Sequence, residues 1–313
     1  MRVVVTGGLG FIGANLVREL TQRRLVTDVR VVDDISTGDE ANLRGCDVGL
    51  SIGSVADPGV MADAAAGADV IVHLAARPSV PRSIADPVAT HVANATGTMT
   101  VLEAARATGV EHVVVASSSS VYGANPTLPK SEDLATVPMS PYAASKLATE
   151  AYAVAYQSSF GLPVLAFRFF NVFGPLQAAG HAYAAVIPTF IDAALAGRPL
   201  VVHGDGKQTR DFTYVGSVVR VLADAVERRV TSPGPVNLAF GTRLTLLEAV
   251  EVLERELGRR LELQHTEPRP GDVRHSQADS SRLRALFPDV APVPFEEGLA
   301  QTVAWFRSIG QDR

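Results

Sequence analysis

The segment Thr6-Gly-Gly-Leu-Gly-Phe-Ile-Gly13 constrains this chain more than any other stretch, because it joins a strand-like run, Arg2 to Thr6, to a helix-like run opening at Phe11. It satisfies both Gly7-x-x-Gly10-x-x-Gly13 and Gly8-x-Gly10-x-x-Gly13. Glycine permits a tight turn and lets the backbone approach an anion, whose charge then faces the free N–H groups of a helix N-terminus. Taken alone, this could be an ordinary strand-turn-helix unit. A second run, Val31-Val-Asp-Asp34, ends about twenty residues past Gly13, where a carboxylate can hold a ribose. Together the two features predict a dinucleotide held by Gly7, Gly10, Phe11, Ile12, Gly13, Asp33 and Asp34. A carboxylate at Asp33 would repel a 2′-phosphate, and no arginine follows it until Arg44, so NAD is expected rather than NADP.

Strand-like and helix-like runs alternate through the first half, which predicts a parallel sheet covered on both faces. Strands are expected at Arg2 to Thr6, Asp28 to Asp33, Val48 to Gly53, Asp69 to His73, His112 to Ala116 and Val164 to Arg168. Helices are expected at Phe11 to Arg23, Val60 to Ala66, His91 to Thr108 and Tyr142 to Phe160. Past residue 170 the pattern loosens, with helices near Ala185 to Ala196, Val215 to Arg228 and Leu246 to Leu257. The expected fold is α/β: a Rossmann-type, doubly wound parallel sheet over residues 1–170, with a smaller α+β substrate-binding domain over 171–313. Segments of the second domain should pack back on the first.

Composition excludes several classes. A net charge of -5 offers no basic face for nucleic acid. The longest apolar stretch, Ala182 to Ala196, is interrupted by Pro188 and Asp192 and is too short to span a bilayer. With Cys46 alone, no internal disulfide can form. The first strand begins at once, without the regions of a secretory leader, so a soluble cytoplasmic protein is expected. The histidines show no ligand spacing, and no metal site is expected.

Two further segments carry chemistry. Ser117-Ser-Ser-Ser-Val-Tyr-Gly123 follows the strand at His112, at the carboxyl edge where ligands collect in a parallel sheet. Tyr142 and Lys146 stand four residues apart near the start of a predicted helix, so their side chains share a face. A serine run is usually only a turn, and such a Tyr/Lys pair is common on exposed helices.

The set as a whole resembles the extended short-chain dehydrogenase/reductase family, specifically its NAD-dependent nucleotide-sugar epimerases similar to UDP-glucose 4-epimerase. The resemblance covers nearly the whole chain. It rests on the glycine loop, His73-Leu-Ala-Ala76, Ser117 to Gly123, Tyr142-x-x-x-Lys146, Arg168-Phe-Phe-Asn171, Gly204-Asp-Gly-Lys-Gln-Thr-Arg-Asp-Phe212 and Arg269-Pro-Gly-Asp272. It implies NAD as cofactor, with Ser54, Val55, Leu74, Ala75, Ala76, Asn94, Tyr142 and Lys146 among its contacts. Catalysis would fall to Ser118, Tyr142 and Lys146: a phenol titrates near ~10, and positive charge from Lys146 and the nicotinamide would make it a base. Ser118, four residues before Tyr122, matches the family's proton-relaying hydroxyl.

The implied activity is a UDP-hexose 4-epimerase, interconverting UDP-glucose and UDP-galactose and possibly their N-acetylated pair through a 4-keto intermediate. The implied substrate contacts are Ser79, Arg82, Ser118, Ser119, Asn171, Ala185, Val186, Arg210, Arg269, Asp272 and Ser276. Arginine suits the diphosphate because its planar fork binds oxygens in pairs. The chain departs from relatives in three places. Gly53-Ser54-Val55 lacks an acidic partner for the adenine amine, a contact that Asp57 could supply. Ser119 and Ser120 stand where 4,6-dehydratases carry Asp and Glu, which disfavours elimination of water. Ser276 is small where some relatives have Tyr, leaving room for an N-acetyl group. A UDP-glucuronate 4-epimerase or decarboxylase is the alternative, disfavoured because Gly174 to Ala179 lacks arginine, although Arg77 or Arg82 could substitute. A non-catalytic NAD-binding regulator is a third reading. The long Ala-rich helices resemble those that build two-fold dimers in relatives, so a homodimer is expected.

Overall fold

The computed structural model describes residues 1–179, 184–268 and 273–311. In the first half, β1 (Arg2–Thr6), α1 (Phe11–Leu20), β2 (Asp28–Asp33), β3 (Gly49–Ile52), α2 (Pro58–Ala65) and β4 (Val70–His73) are followed by α3 (Val80–Ala85), α4 (Pro87–His91) and α5 (Gly97–Thr108). Then come β5 (His112–Ser118), α6 (Pro141–Phe160), β6 (Val164–Phe169) and β7 (Asn171–Phe173). The remainder is α7 (Val186–Leu195), β8 (Leu200–His203), β9 (Thr209–Arg210), β10 (Phe212–Tyr214), α8 (Val215–Arg228) and β11 (Val236–Leu238). Last are β12 (Leu244–Thr245), α9 (Leu246–Leu257), β13 (Leu263–Thr266), α10 (Ser281–Leu286) and α11 (Phe295–Gln311).

Seven parallel strands form the main sheet in the order β3-β2-β1-β4-β5-β6-β11. The chain reverses direction across the sheet between β1 and β4, and ligands of open α/β sheets bind above such a switch point. The inner strands are valine-rich and buried at almost every position, as both covered faces require. The α/β fold with a Rossmann-type parallel sheet is therefore as expected.

Two details differ from the sequence reading. Residues 236–238 supply the seventh strand, too short a run to announce itself by periodicity, and α8 lies along α1. The stretch His91 to Thr108, read as one helix, is divided: α4 and α5 are joined through a widened π turn at residues 92–96. There Asn94 is turned inward and nearly fully buried. The hydroxyls of Thr98 and Thr100 donate back to the carbonyls of Asn94 and Thr96 and compete with regular helix bonding.

Helix α6 carries the Tyr/Lys pair, and its boundaries are written locally. Ser140 caps the N-terminus by accepting from the Ala143 amide at 3.1 Å, Pro141 occupies the first turn, and Gly161 ends the helix in the left-handed conformation. Its position against the sheet is fixed by a buried ion pair. Glu150 Oε1 lies 2.6 Å from the Arg168 guanidinium on β6, both side chains being almost wholly buried. Glu150 Oε2 also accepts from the Ser117 hydroxyl at 2.9 Å. Arg168 lies over the Tyr122 ring at 4.7 Å, and the Tyr122 hydroxyl donates to Asn237 on β11 at 2.7 Å.

Removing one partner of such a pair leaves an uncompensated charge in the interior. Arg168→Met should therefore cost about 3–5 kcal/mol in urea unfolding. A loss below about 1 kcal/mol, the range of an exposed pair, would contradict this account.

Candidate active site

The loop after β1 has no room for larger residues. A Cβ placed on Gly13 would stand 2.1 Å from the Gly7 carbonyl oxygen, and Gly7 itself has a φ of +70°. Above Gly10 the space is open: its Cβ would meet only the Gly7 oxygen, at 3.3 Å. Gly10 is also the N-cap of α1 and offers no side chain to the first-turn amides, so those donors at Phe11 and Ile12 face outward for an anion.

At the end of β2, Asp33 accepts from the Leu9 amide through Oδ2 and from the Ile35 amide through Oδ1, each at 2.9 Å. Burial raises its pKa, and the two amides partly offset this. Each oxygen retains a lone pair for a ribose hydroxyl. The loop and this carboxylate suit the adenosine diphosphate half of NAD. Asp34 is exposed and bonds Ser36. Ser54 is exposed beyond β3, while Val55 is buried. Asp57, offered as an adenine contact, caps α2 by accepting through Oδ1 from Gly59 and Val60 at 2.8 and 3.3 Å. Its carboxylate is turned to those amides because Pro58 starts the helix immediately after it.

Leu74, Ala75 and Ala76 leave β4 half-buried beside the glycine loop, and the Ala75 amide donates to the Thr6 hydroxyl at 3.2 Å. His73 is packed between the Thr6 and Thr98 hydroxyls at 2.8 and 3.0 Å. Because Thr98 already donates to the Asn94 carbonyl, it accepts from His73 Nε2–H, leaving Nδ1 as acceptor. Burial first, and the Lys146 charge second, push this histidine down to about 3, so it is neutral. Asn94 accepts from the Arg77 amide at 2.7 Å and donates to Ser145 on α6 at 2.9 Å. Its side chain thus ties the strand-end loop to the Tyr/Lys helix.

Ser118 ends β5, and its hydroxyl lies near enough to the Tyr142 phenol to favour the phenolate. Lys146 is almost fully buried and donates from Nζ to the Ala116 carbonyl at 2.8 Å. The three predicted catalytic residues therefore meet above the carboxyl end of β5. Burial raises the Tyr142 phenol and Ser118 counteracts it. Burial also lowers Lys146 to about 8. One Lys146 ammonium N–H is directed at the Ala116 carbonyl. Ser119 and Ser120 follow half-buried, and the Ser120 amide donates to Ser118 Oγ at 3.2 Å.

Ser79 opens α3 with a φ of +96°, a strained conformation for a residue with a Cβ, and Arg82 sits one turn further on, half-buried. Arg77 is paired with Asp86 at 3.1 Å. Across the sheet edge, the Asn171 amide on β7 donates to the Asp211 carbonyl at 3.3 Å. Arg210 on β9 donates to the carbonyls of Thr209 and Arg274. The Ser276 amide donates to the Thr209 carbonyl at 3.1 Å, which brings Ser276 beside Arg210. Ala185 is exposed at the N-cap of α7 and Val186 is half-buried. Arg269 and Asp272 lie outside the described residues. No group of three metal-ligating side chains occurs among the described residues, and none of the described helices is long and apolar enough to cross a membrane.

Comparison with known proteins follows the same outline. Residues 3–239 match the model of the NAD dependent epimerase/dehydratase family. The chain belongs to that family. It is 38% identical, over 99% of its length and 100% of the relative's, to the UDP-glucose 4-epimerase of Mycolicibacterium smegmatis. Among solved structures it resembles the UDP-N-acetylglucosamine 4-epimerase of Methanobrevibacter ruminantium, at 36% identity, with a TM-score of 0.93 and 98% of each chain covered. It also resembles DesIV, the dTDP-glucose 4,6-dehydratase of Streptomyces venezuelae solved with NAD, at 32% identity with a TM-score of 0.90, covering 98% of this chain and 97% of that one. The protein is an enzyme, an isomerase whose cofactor is NAD.

The position of Lys146 has a consequence for stability. An unfolded lysine keeps its proton up to about 10.5 and the buried one only to about 8, so between these values the unfolded chain binds more protons. Stability owed to this site should rise with pH across that window, by on the order of 3 kcal/mol. Urea unfolding of wild type and Lys146→Met at pH 7.5 and 10 checks it: wild type should gain on the variant at the higher pH. A constant difference would contradict the burial of a charge at Lys146.

Proposed function

We propose that the protein is a UDP-hexose 4-epimerase, acting on UDP-glucose and UDP-galactose and on the N-acetylated pair. One observation carries the reading: the Ser118 hydroxyl at the end of β5 stands near the Tyr142 phenol, with Lys146 on the next turn of the same helix. NAD, when bound, supplies a reversible hydride acceptor and a positive charge near the phenol. Tyr142 takes the proton of the sugar 4-hydroxyl, and Ser118 holds the reacting oxygen and relays that proton. Lys146 keeps cationic charge behind the pair. Because bound NAD would both accept and return the hydride, the reaction would leave no net oxidation, and the chain's own residues need only move one proton and hold the sugar in either orientation.

Arg210, Asn171 and the segment bearing Ser276 supply the sugar-nucleotide side, with Arg269 and Asp272 assigned there by their motif alone. Ser119 and Ser120 offer no carboxyl group to eliminate water, which favours epimerisation over the dehydration for which DesIV is named. Arg77 already neutralises Asp86, which speaks against its service as a uronate partner. Purified protein given UDP-galactose or UDP-N-acetylgalactosamine without added NAD should form the C4 isomer of at least one. UDP-glucuronate should be returned unchanged, with no carbon dioxide released. Tyr142→Phe should lower turnover by roughly 10²–10⁴-fold while retaining NAD; an unchanged rate would sink the assignment.

A homodimer belongs to the same reading. Val88, Val92 and Met99 are exposed on the α4-to-α5 stretch at spacings of four and seven, and Tyr152 is exposed on the adjoining α6. Such a row suits burial against its own two-fold copy. Light scattering should give twice the chain mass, and Val92→Arg should halve it; a monomeric wild type would contradict the dimer. A cytoplasmic location is proposed with it, from the composition.

A further inference from the structure

A single residue, Asp211, joins β9 to β10. It has no exposed surface. Its carbonyl accepts from the Asn171 amide at 3.3 Å, and its carboxylate Oδ2 accepts from the Ala278 amide at 2.9 Å. Oδ1 has no hydrogen-bond partner among the described residues, although the peptide groups of Gly241 and Thr242 stand close enough to favour its charge. Burial outweighs all three peptide groups and pushes the carboxyl up to about 7. A buried acid so poorly satisfied costs stability, and an apolar residue would cost less.

Asp211 holds three segments together. The segment 274–278 lies along β9: Thr209 N–H donates to the Arg274 carbonyl at 3.0 Å, and Ser276 N–H returns to the Thr209 carbonyl at 3.1 Å. The Thr209 hydroxyl meets His275 Nδ1 at 3.0 Å, and Arg210 Nη1 donates to the Arg274 carbonyl at 3.3 Å. Ala278, two residues past Ser276, is tied on its other side to Lys130 by a β-bridge. Asp211 is thus the point where the Asn171 strand, the Arg210 strand and the Ser276 segment are fastened to one another.

We infer that Asp211 is a positioning residue for the nucleoside diphosphate: it sets the gap between Arg210 and the Ser276 segment, and with it the grip on the substrate. It touches neither the reacting carbon nor the cofactor loop. The ligand class rests on the epimerase reading above.

Asp211→Asn keeps the shape of the side chain but loses an acceptor or sets an N–H against that of Ala278. In the NAD-loaded enzyme the KM for the UDP-sugar and the inhibition constant of UDP should rise together by about tenfold, the loss of one charge-assisted hydrogen bond. Turnover at saturation should stay within threefold and bound NAD should be unchanged. Equal KM and UDP inhibition in the two enzymes would overturn the inference, as would a loss confined to turnover. Wild-type hydrogen exchange gives a reading that needs no variant: UDP should slow exchange in 273–279 and 240–242 together. UDP binding without that joint protection also overturns it. A wild type that neither converts a UDP-sugar nor binds UDP removes the epimerase reading and this inference with it, whereas normal wild-type binding matched by Asp211→Asn removes only the role of Asp211.

Discussion

Helix α6 is held against the sheet by charge and hydrogen bonds from which water is excluded, and the geometry of the Tyr/Lys site follows from that attachment. Lys146 Nζ reaches the Ala116 carbonyl, the Lys146 carbonyl accepts from Ser117, and Ser117 also bonds Glu150, which pairs with Arg168. These contacts join one face of α6 to the adjacent strands β5 and β6. A slip of the helix by one residue would strand a carboxylate, an ammonium and a guanidinium in a low-dielectric interior, at several kcal/mol each. The helix has one seat, so the distance from Tyr142 on its first turn to Ser118 at the strand end is set largely by Glu150, Arg168 and Ser117, which take no part in the chemistry. A leucine-filled interface of the same area would bind as well but would tolerate sliding.

What could be read from the chain is what its neighbours in sequence determine. The glycine loop, the Asp33 carboxylate and the Tyr142/Lys146 spacing are local patterns, and the structure brings each to the expected edge of the sheet. Helices 215–228 and 246–257 end where their periodicity ends. Helix 295–311 is equally legible, since Phe295, Leu299, Val303 and Phe306 repeat on one face and are buried. Glu150 and Arg168 belong to another category. Both look like surface residues, and nothing local says that a strand and a helix will close over them. His73 likewise gives no sign in sequence of its two threonine partners, because Thr6 lies across the switch point on β1 and Thr98 lies on α5. Asp57 also has a role that is local and legible as such, since an Asp directly before Pro58 favours an N-cap.

In the protein alone, burial dominates the electrostatics of the site. It holds the phenol above its ordinary value and pushes Lys146 down to about 8, while one ammonium N–H is given to the Ala116 carbonyl. On the proposed reading this is useful. A tyrosine that ionised unaided would need a charged partner at all times, and that charge would have to be sustained in a dry pocket whether or not chemistry was under way. Here the phenol stays protonated until a further positive charge stands beside it. Base strength is thereby made conditional on the oxidised state of the cofactor, the one state able to accept hydride. The same logic explains why His73, whose pKa the Lys146 charge also lowers, must be neutral: a second cation there would compete with the ammonium for the same desolvated volume, and burial removes its proton first.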